Sequence, residues 1–221
     1  YSSGYSIWPV LLASPVVSLL LLSLAIAGVW TGFGQFDSHR AFLFVDRYHF
    51  LVGGGTTNLD ILWQLISEGN VWRLFAPAWL HWSLFHWLFN SLGLWILGRS
   101  LEKYLGSYPF LLLVLFSALV ANISQFLVGG AGFGGFSGVV FALVGGQAMG
   151  LMLAPEKACW AHRGVVGISI IWMFAAMLGV TEFVGVYVAN TAHFTGFICG
   201  VVWLVLLLSW QAKSARLRGA S

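Results

Sequence analysis

The chain reads as six long apolar runs separated by short polar or glycine-rich breaks. The runs cover approximately residues 10–30, 81–101, 108–128, 137–153, 165–183 and 191–210. They are continuous rather than alternating, which predicts helices and excludes barrel strands. A helix rises about 1.5 Å per residue, so crossing about 30 Å of hydrocarbon takes roughly 20 apolar residues. The pattern therefore predicts an all-α membrane protein, a bundle of six transmembrane helices. The first run is too long for the apolar core of a signal peptide, and no small-residue cleavage site follows Trp30. Only the connection at roughly 31–80 is large. Within it, LDILWQLI (59–66) mixes apolar and polar residues with a Trp, which predicts a helix lying in the membrane interface. No second domain, low-complexity tract or internal repeat stands out, so residues 1–221 are read as one domain. An inverted-repeat transporter would show corresponding halves.

Composition agrees with this pattern. Apolar residues make up 59% of the 221, charged residues 8%, and mean hydropathy is +0.89. A soluble domain carries about 25% charge, so most of this chain must face lipid. Ten Lys and Arg are too few for a nucleic-acid surface, despite the net charge of +3. Their placement sets direction instead. Arg99, Lys103, Lys157, Arg163, Lys213, Arg216 and Arg218 all fall on one side of the bundle, the cytoplasmic side by the positive-inside rule. Both termini are then cytoplasmic. The other side holds the long loop, with Asp37, Asp46, Asp60 and Glu68 against Arg40, Arg47 and Arg73, and the uncharged GGAGFGG of 129–135. Cys159 and Cys199 are too few for a disulfide framework or metal site, and no residue cluster calls for a metal or another cofactor. The chain starts YSSGYS without Met, so residues 1–8 read as a trimmed or foreign start.

Polar groups inside spans are costly and default to functional candidates. The second run opens HWSLFHWLFNSLG, where His86 and Asn90, four apart, share a helical face. His81 precedes them and reads as an interface residue. The fourth run places Ser137 among small residues at its very start, and the sixth opens NTAHFTGFICG with His193 in its first turn. Taken singly, each has a bland explanation: a Ser among glycines packs helices, and a buried His hydrogen-bonds a neighbour. Together they converge, because runs 2, 4 and 6 cross in the same direction. Ser137 lies 18 residues before Pro155 and His193 lies 20 before Lys213, so their depths differ by about 3 Å. Gly196 and Gly200 follow His193 on its own face, while Gly138, Gly145, Gly146 and Gly150 thin the fourth helix. Such residues let two backbones approach closely and could bring Ser137 within hydrogen-bond reach of His193, the minimal activated nucleophile. No Asp occurs after residue 60, so an enzyme built on this pair would use a dyad.

Four strings, GFSG (135–138), AHFTGFICG (192–200), HWSLFHWLFN (81–90) and VWR (71–73), resemble the signature set of rhomboid intramembrane serine proteases, in the same order and on the same helices. The resemblance covers residues from about 70 to 210. It implies Ser137 as nucleophile and His193 as general base, with His86 and Asn90 lining an oxyanion hole and His81 supporting that end of the second span. It also implies supporting places for Gly135, for Trp72 and Arg73 as a pair in the first loop, and for Glu102 as a structural acid. One turn beyond the nucleophile the family usually has Tyr; here it is Phe141, which can stack on the histidine but has no hydroxyl. Six spans without a seventh or a large extension fit the simpler bacterial members. The implied substrates are transmembrane segments of other proteins, cut near small and helix-destabilising residues.

Two other readings compete. A catalytically inactive relative would bind membrane clients, but such relatives typically lose the Ser or His retained here. A transporter would need a polar path, and stretches such as LWILG and VVWLVLLL offer none. The localisation that follows is a multi-pass protein of a bacterial inner membrane, its site open to the outer side, with the lipid bilayer and membrane-protein substrates as partners. Nothing in the sequence fixes the oligomeric state.

Overall fold

Pro15 opens the first helix, a position where its missing amide costs nothing. In the computed structural model, which describes residues 13–36, 57–153, 155, 160–183 and 185–219, α1 runs Pro15–Trp30. It is followed by α2 (Asn58–Ser67), α3 (Leu84–Gly93) and α4 (Arg99–Leu105). A π-helical turn, Leu94–Gly98, joins α3 to α4. Then come α5 (Ser107–Gly129), α6 (Ser137–Leu153), α7 (Arg163–Met177) and α8 (Asn190–Gly219). Two 3₁₀ turns, Val71–Leu74 and Ala76–Trp79, precede α3. No strand occurs among the described residues, so the protein is all-helical there.

Helices occupy all six apolar windows, with local differences. The Ser83 hydroxyl accepts from the His86 amide and caps α3, so residues 81–83 lie outside the helix rather than in its first turn. The fifth window is broken. α7 ends at Met177, Gly179 takes a φ of +80°, and a separate turn follows at Val180–Phe183. α5 and residues Asn190–Ser214 of α8 are long and apolar enough to cross a membrane; α1, α6 and α7 are apolar but shorter. The first-loop charges Asp37, Arg40, Asp46 and Arg47, together with Lys157, Cys159 and the start at 1–8, lie outside the described residues.

Apolar side chains cover the exterior as well as filling the core. Leu22, Ile26 and Val29 of α1, Phe85 and Phe89 of α3, and Ile168 and Ile171 of α7 face outward, while Asn90, Glu102, Asn122, Gln147 and His193 are buried. So extensive an apolar exterior suits lipid as its solvent. α6 runs through the middle, with Phe136, Val139, Leu143 and Val144 packed against Leu24, Leu97 and Phe110. A second cluster sits under α2, where Ile61 and Leu65 meet Leu74, Phe126 and Phe133. The other face of α2 exposes Leu59 and Trp63. Its start is fixed by a capping box of Thr57 and Asp60. Hydrogen bonds from the Thr57 hydroxyl and then its amide hold the Asp60 carboxyl below its ordinary range.

Glycines set the closest helix pair. A Cβ added at Gly145 would strike the Phe197 carbonyl, one at Gly196 the Gly138 carbonyl, and one at Gly200 the Ala142 carbonyl. α6 and α8 therefore touch backbone to backbone, and no larger residue fits along that seam. Gly138 also meets α5, since its added Cβ would lie 2.7 Å from the Ala121 methyl.

Two buried side chains tie the end of the bundle that carries Arg99 and Arg163. Glu102 accepts from the amides of Val16 and Val17, each at 3.0 Å, and from the Ser107 hydroxyl at 2.7 Å. It thereby satisfies the start of α1, whose own N-cap residue Ser14 makes no capping bond. Gln147 donates to the Leu97 carbonyl and the Ser100 hydroxyl, and its carbonyl accepts from the His162 amide.

Candidate active site

The site grows from the glycine seam and the loop leading into it. Ser137 is the first residue of α6, and its amide belongs to the turn that has no intrahelical acceptors. The preceding residues are pinned to the first loop. The Gly135 amide donates to the Pro77 carbonyl at 2.9 Å, and Asn122 of α5 donates to the carbonyls of Leu74 and Phe75. Gly135 itself has a φ of +122°, and a Cβ there would lie 2.6 Å from the His86 ring. Both conformation and crowding demand glycine.

His193 sits in the first turn of α8, held by its amide bond to the Ala189 carbonyl and by the Ala192 amide, which donates to the Gln125 carbonyl of α5. With Gly196 and Gly200 closing the distance between helices, His193 Nε2 lies 2.8 Å from Ser137 Oγ. The pair joins residues 56 apart in sequence. Ser137 is half-buried and therefore reachable, whereas His193 is buried. The hydroxyl donates when Nε2 is unprotonated, which leaves the ring proton on Nδ1. That nitrogen is buried without a hydrogen-bond partner. The Phe141 ring packs on the imidazole instead, centroids 4.4 Å apart at 32°. The sequence-expected stack is present in a tilted form.

His86 and Asn90 both converge on Gly135, two residues before Ser137. Asn90 is buried and its Nδ2 has no hydrogen-bond partner, the kind of orphan donor that calls for an explanation. His81 departs from the expectation of an interface residue. It is fully buried, with Nδ1 donating to the Trp79 carbonyl at 3.2 Å and Nε2 accepting from the Phe136 amide at 3.4 Å. Its ring meets the edge of His86, centroids 5.0 Å apart. Its polar partners are backbone groups of the turn and loop beside it rather than headgroups.

The remaining expected residues lie in the frame around the pair. Trp72 and Arg73 share the first 3₁₀ turn, the guanidinium 4.6 Å from the indole centroid, beside the carbonyls that Asn122 holds. Glu102 belongs to the opposite end. Sequence reasoning passed over Asn122, Gln125 and Gln147. The signal was available, since each is a polar residue inside an apolar run. Among the described residues no group of three or more His, Cys, Asp or Glu could hold a metal. Cys199 is a buried free thiol.

A family model described as the rhomboid domain matches residues 68–210. The chain is similar to the rhomboid protease GlpG of Yersinia pestis (strain Pestoides F), 38% identical over 146 residues, which is 66% of this chain and 50% of that protein. The Yersinia enterocolitica protein of the same name is 35% identical over 167 residues, 75% of this chain and 58% of its own length. The chain spans about half the length of the first of these curated relatives and somewhat more of the second.

Proposed function

The chain belongs to the rhomboid family of integral membrane proteins, and from that membership and the site geometry we propose that it is an intramembrane serine endopeptidase cutting transmembrane segments of other proteins. The observation that carries the reading is the 2.8 Å contact between Ser137 Oγ and His193 Nε2 at the glycine seam. His193 takes the hydroxyl proton as Ser137 attacks the scissile carbonyl. Negative charge on the tetrahedral oxygen falls to the Ser137 amide, the Asn90 side-chain amide and His86, with the positive end of the α6 dipole behind them. The imidazolium then protonates the leaving amine, the peptide bond breaks, and water repeats the cycle on the acyl-enzyme. Among the described residues no carboxylate meets Nδ1, so the imidazolium is supported by the Phe141 ring, to the extent that an aromatic quadrupole supports a cation.

The six apolar helices are read as six membrane crossings of one domain, with the Ser137 end on the outer side and both termini cytoplasmic, as the basic residues direct. In a bacterium this is the inner membrane. A client-binding, inactive protein is not favoured, because a retained nucleophile and base would have no task there.

The test is labelling by a fluorophosphonate probe in detergent. The wild-type chain should react covalently and Ser137→Ala should not. Equal labelling of both proteins would remove Ser137 as the nucleophile.

A further inference from the structure

Away from the candidate active site, at the end of the bundle where α4 begins, lies a cavity of about 510 Å³. Arg99, Lys103, Ser100 and His162 line it together with Trp95, Tyr104 and Trp160. Among the described residues no carboxylate lines it, and Glu102, on the same helix as Lys103, turns to the amides of α1. The Arg99 guanidinium lies over Trp95, its carbon 4.2 Å from the ring centroid, and its Nε is buried without a hydrogen-bond partner.

The walls are fixed in advance. Gln147 bonds both the Ser100 hydroxyl and the His162 amide, so one buried side chain sets the spacing of two lining residues. Tyr104 and Trp160 stack at 4.5 Å and 19°, forming a rigid aromatic side. A basic, hydroxyl-bearing cavity walled by a guanidinium and an ammonium group is complementary to a phosphate oxyanion.

We propose that this cavity binds a phosphate-bearing anion, supplied by the headgroup of an anionic phospholipid. The aromatic side favours the lipid over a soluble phosphate, because glycerol and the first methylenes would lie against Trp95 and Trp160 while the phosphate meets Arg99 and Lys103. Aromatic and basic residues together are what a headgroup meets at a membrane boundary. The inference rests on the proposed membrane orientation only for which leaflet supplies the lipid.

The experiment uses the full chain in nanodiscs of phosphatidylcholine alone, the same with phosphatidylglycerol, and phosphatidylcholine with inorganic phosphate added. Thermal unfolding is read without substrate, so a missing protease activity and a missing lipid site give separate results. Phosphatidylglycerol should raise the wild-type midpoint by about 3–6 °C. The rise should shrink in both Arg99→Gln and Lys103→Gln. Lys103 is exposed, so its variant keeps the test sound if Arg99→Gln folds poorly. Inorganic phosphate alone should give no rise. A wild-type-like rise in Lys103→Gln, no rise in the wild type, or a full rise from inorganic phosphate would each overturn the lipid assignment.

Discussion

At one end of α6, the groups around Ser137 leave hydrogen-bonding capacity unused: Asn90 Nδ2 and His193 Nδ1 are buried with no partner. Ten residues further along the same helix, about 15 Å away, Gln147 uses both amide hydrogens and its carbonyl. Glu102, at that same end, accepts three bonds. An unmatched buried polar group costs about 1–3 kcal/mol, and a matched one contributes about 1 kcal/mol. Arg99 Nε is unpartnered at that end too, so the contrast lies between the groups around the nucleophile and the Gln147 and Glu102 networks, which do separate two jobs. Filled networks hold helices in register; unfilled ones wait for a group that arrives with the substrate.

The contrast is tested most severely at the Ser137–His193 pair. On the proposed reading, Ser137→Ala or His193→Ala should each lower cleavage of a membrane substrate by on the order of 10⁴-fold or more, and the double variant should be no worse than either single one. Additive losses would mean that the two side chains do not act as a unit. Asn90→Ala comes next, with a rate loss of about a hundred- to a thousandfold. Because its amide donor has no partner to lose, its melting temperature should stay near wild type. A destabilised Asn90→Ala with normal turnover per folded molecule would remove Asn90 from the site.

Gly196→Val tests the seam that creates the site. Its side chain must push against the Gly138 carbonyl, at about 1–3 kcal/mol of stability and about a hundredfold in rate from a displaced imidazole. Full activity would mean that the seam tolerates separation. Gln147→Ala should show the reverse of Asn90→Ala: a loss of about 1–3 kcal/mol in stability, with turnover per folded molecule unchanged. Comparing melting and turnover on the same samples decides whether the two ends differ as described.

The elements that sequence reading located are those built on apolar continuity. All six runs are helical, the second and fifth in pieces, because a long apolar stretch has few other ways to satisfy its backbone in lipid. Gly138, Gly145 and Gly146 on the fourth run, with Gly196 and Gly200 on the sixth, also pointed to a close helix contact, since small side chains let backbones approach. What stayed hidden depends on irregular backbone. Asn122 finds acceptors only because 3₁₀ turns aim the Leu74 and Phe75 carbonyls at α5, and Gln147 donates to a carbonyl inside the π-helical turn. The backbone partners of His81, expected at the interface and as a support for that end of the second span, were hidden for the same reason, being the Trp79 carbonyl and the Phe136 amide. Side-chain patterns along a helix do not announce where a distant turn will present a free backbone group.

Glu102 has a consequence for the order in which the chain is built. The amides it satisfies, at Val16 and Val17, are made 86 and 85 residues before it. Synthesis at about 5–20 residues per second separates those events by about 4–17 s. During that interval the Val16 and Val17 amides lack this acceptor. Arrival of the carboxylate then fastens the oldest helix to the segment just completed, so a residue immediately after the second apolar run adds to the packing of Val17, Leu20 and Leu24 in fixing α1.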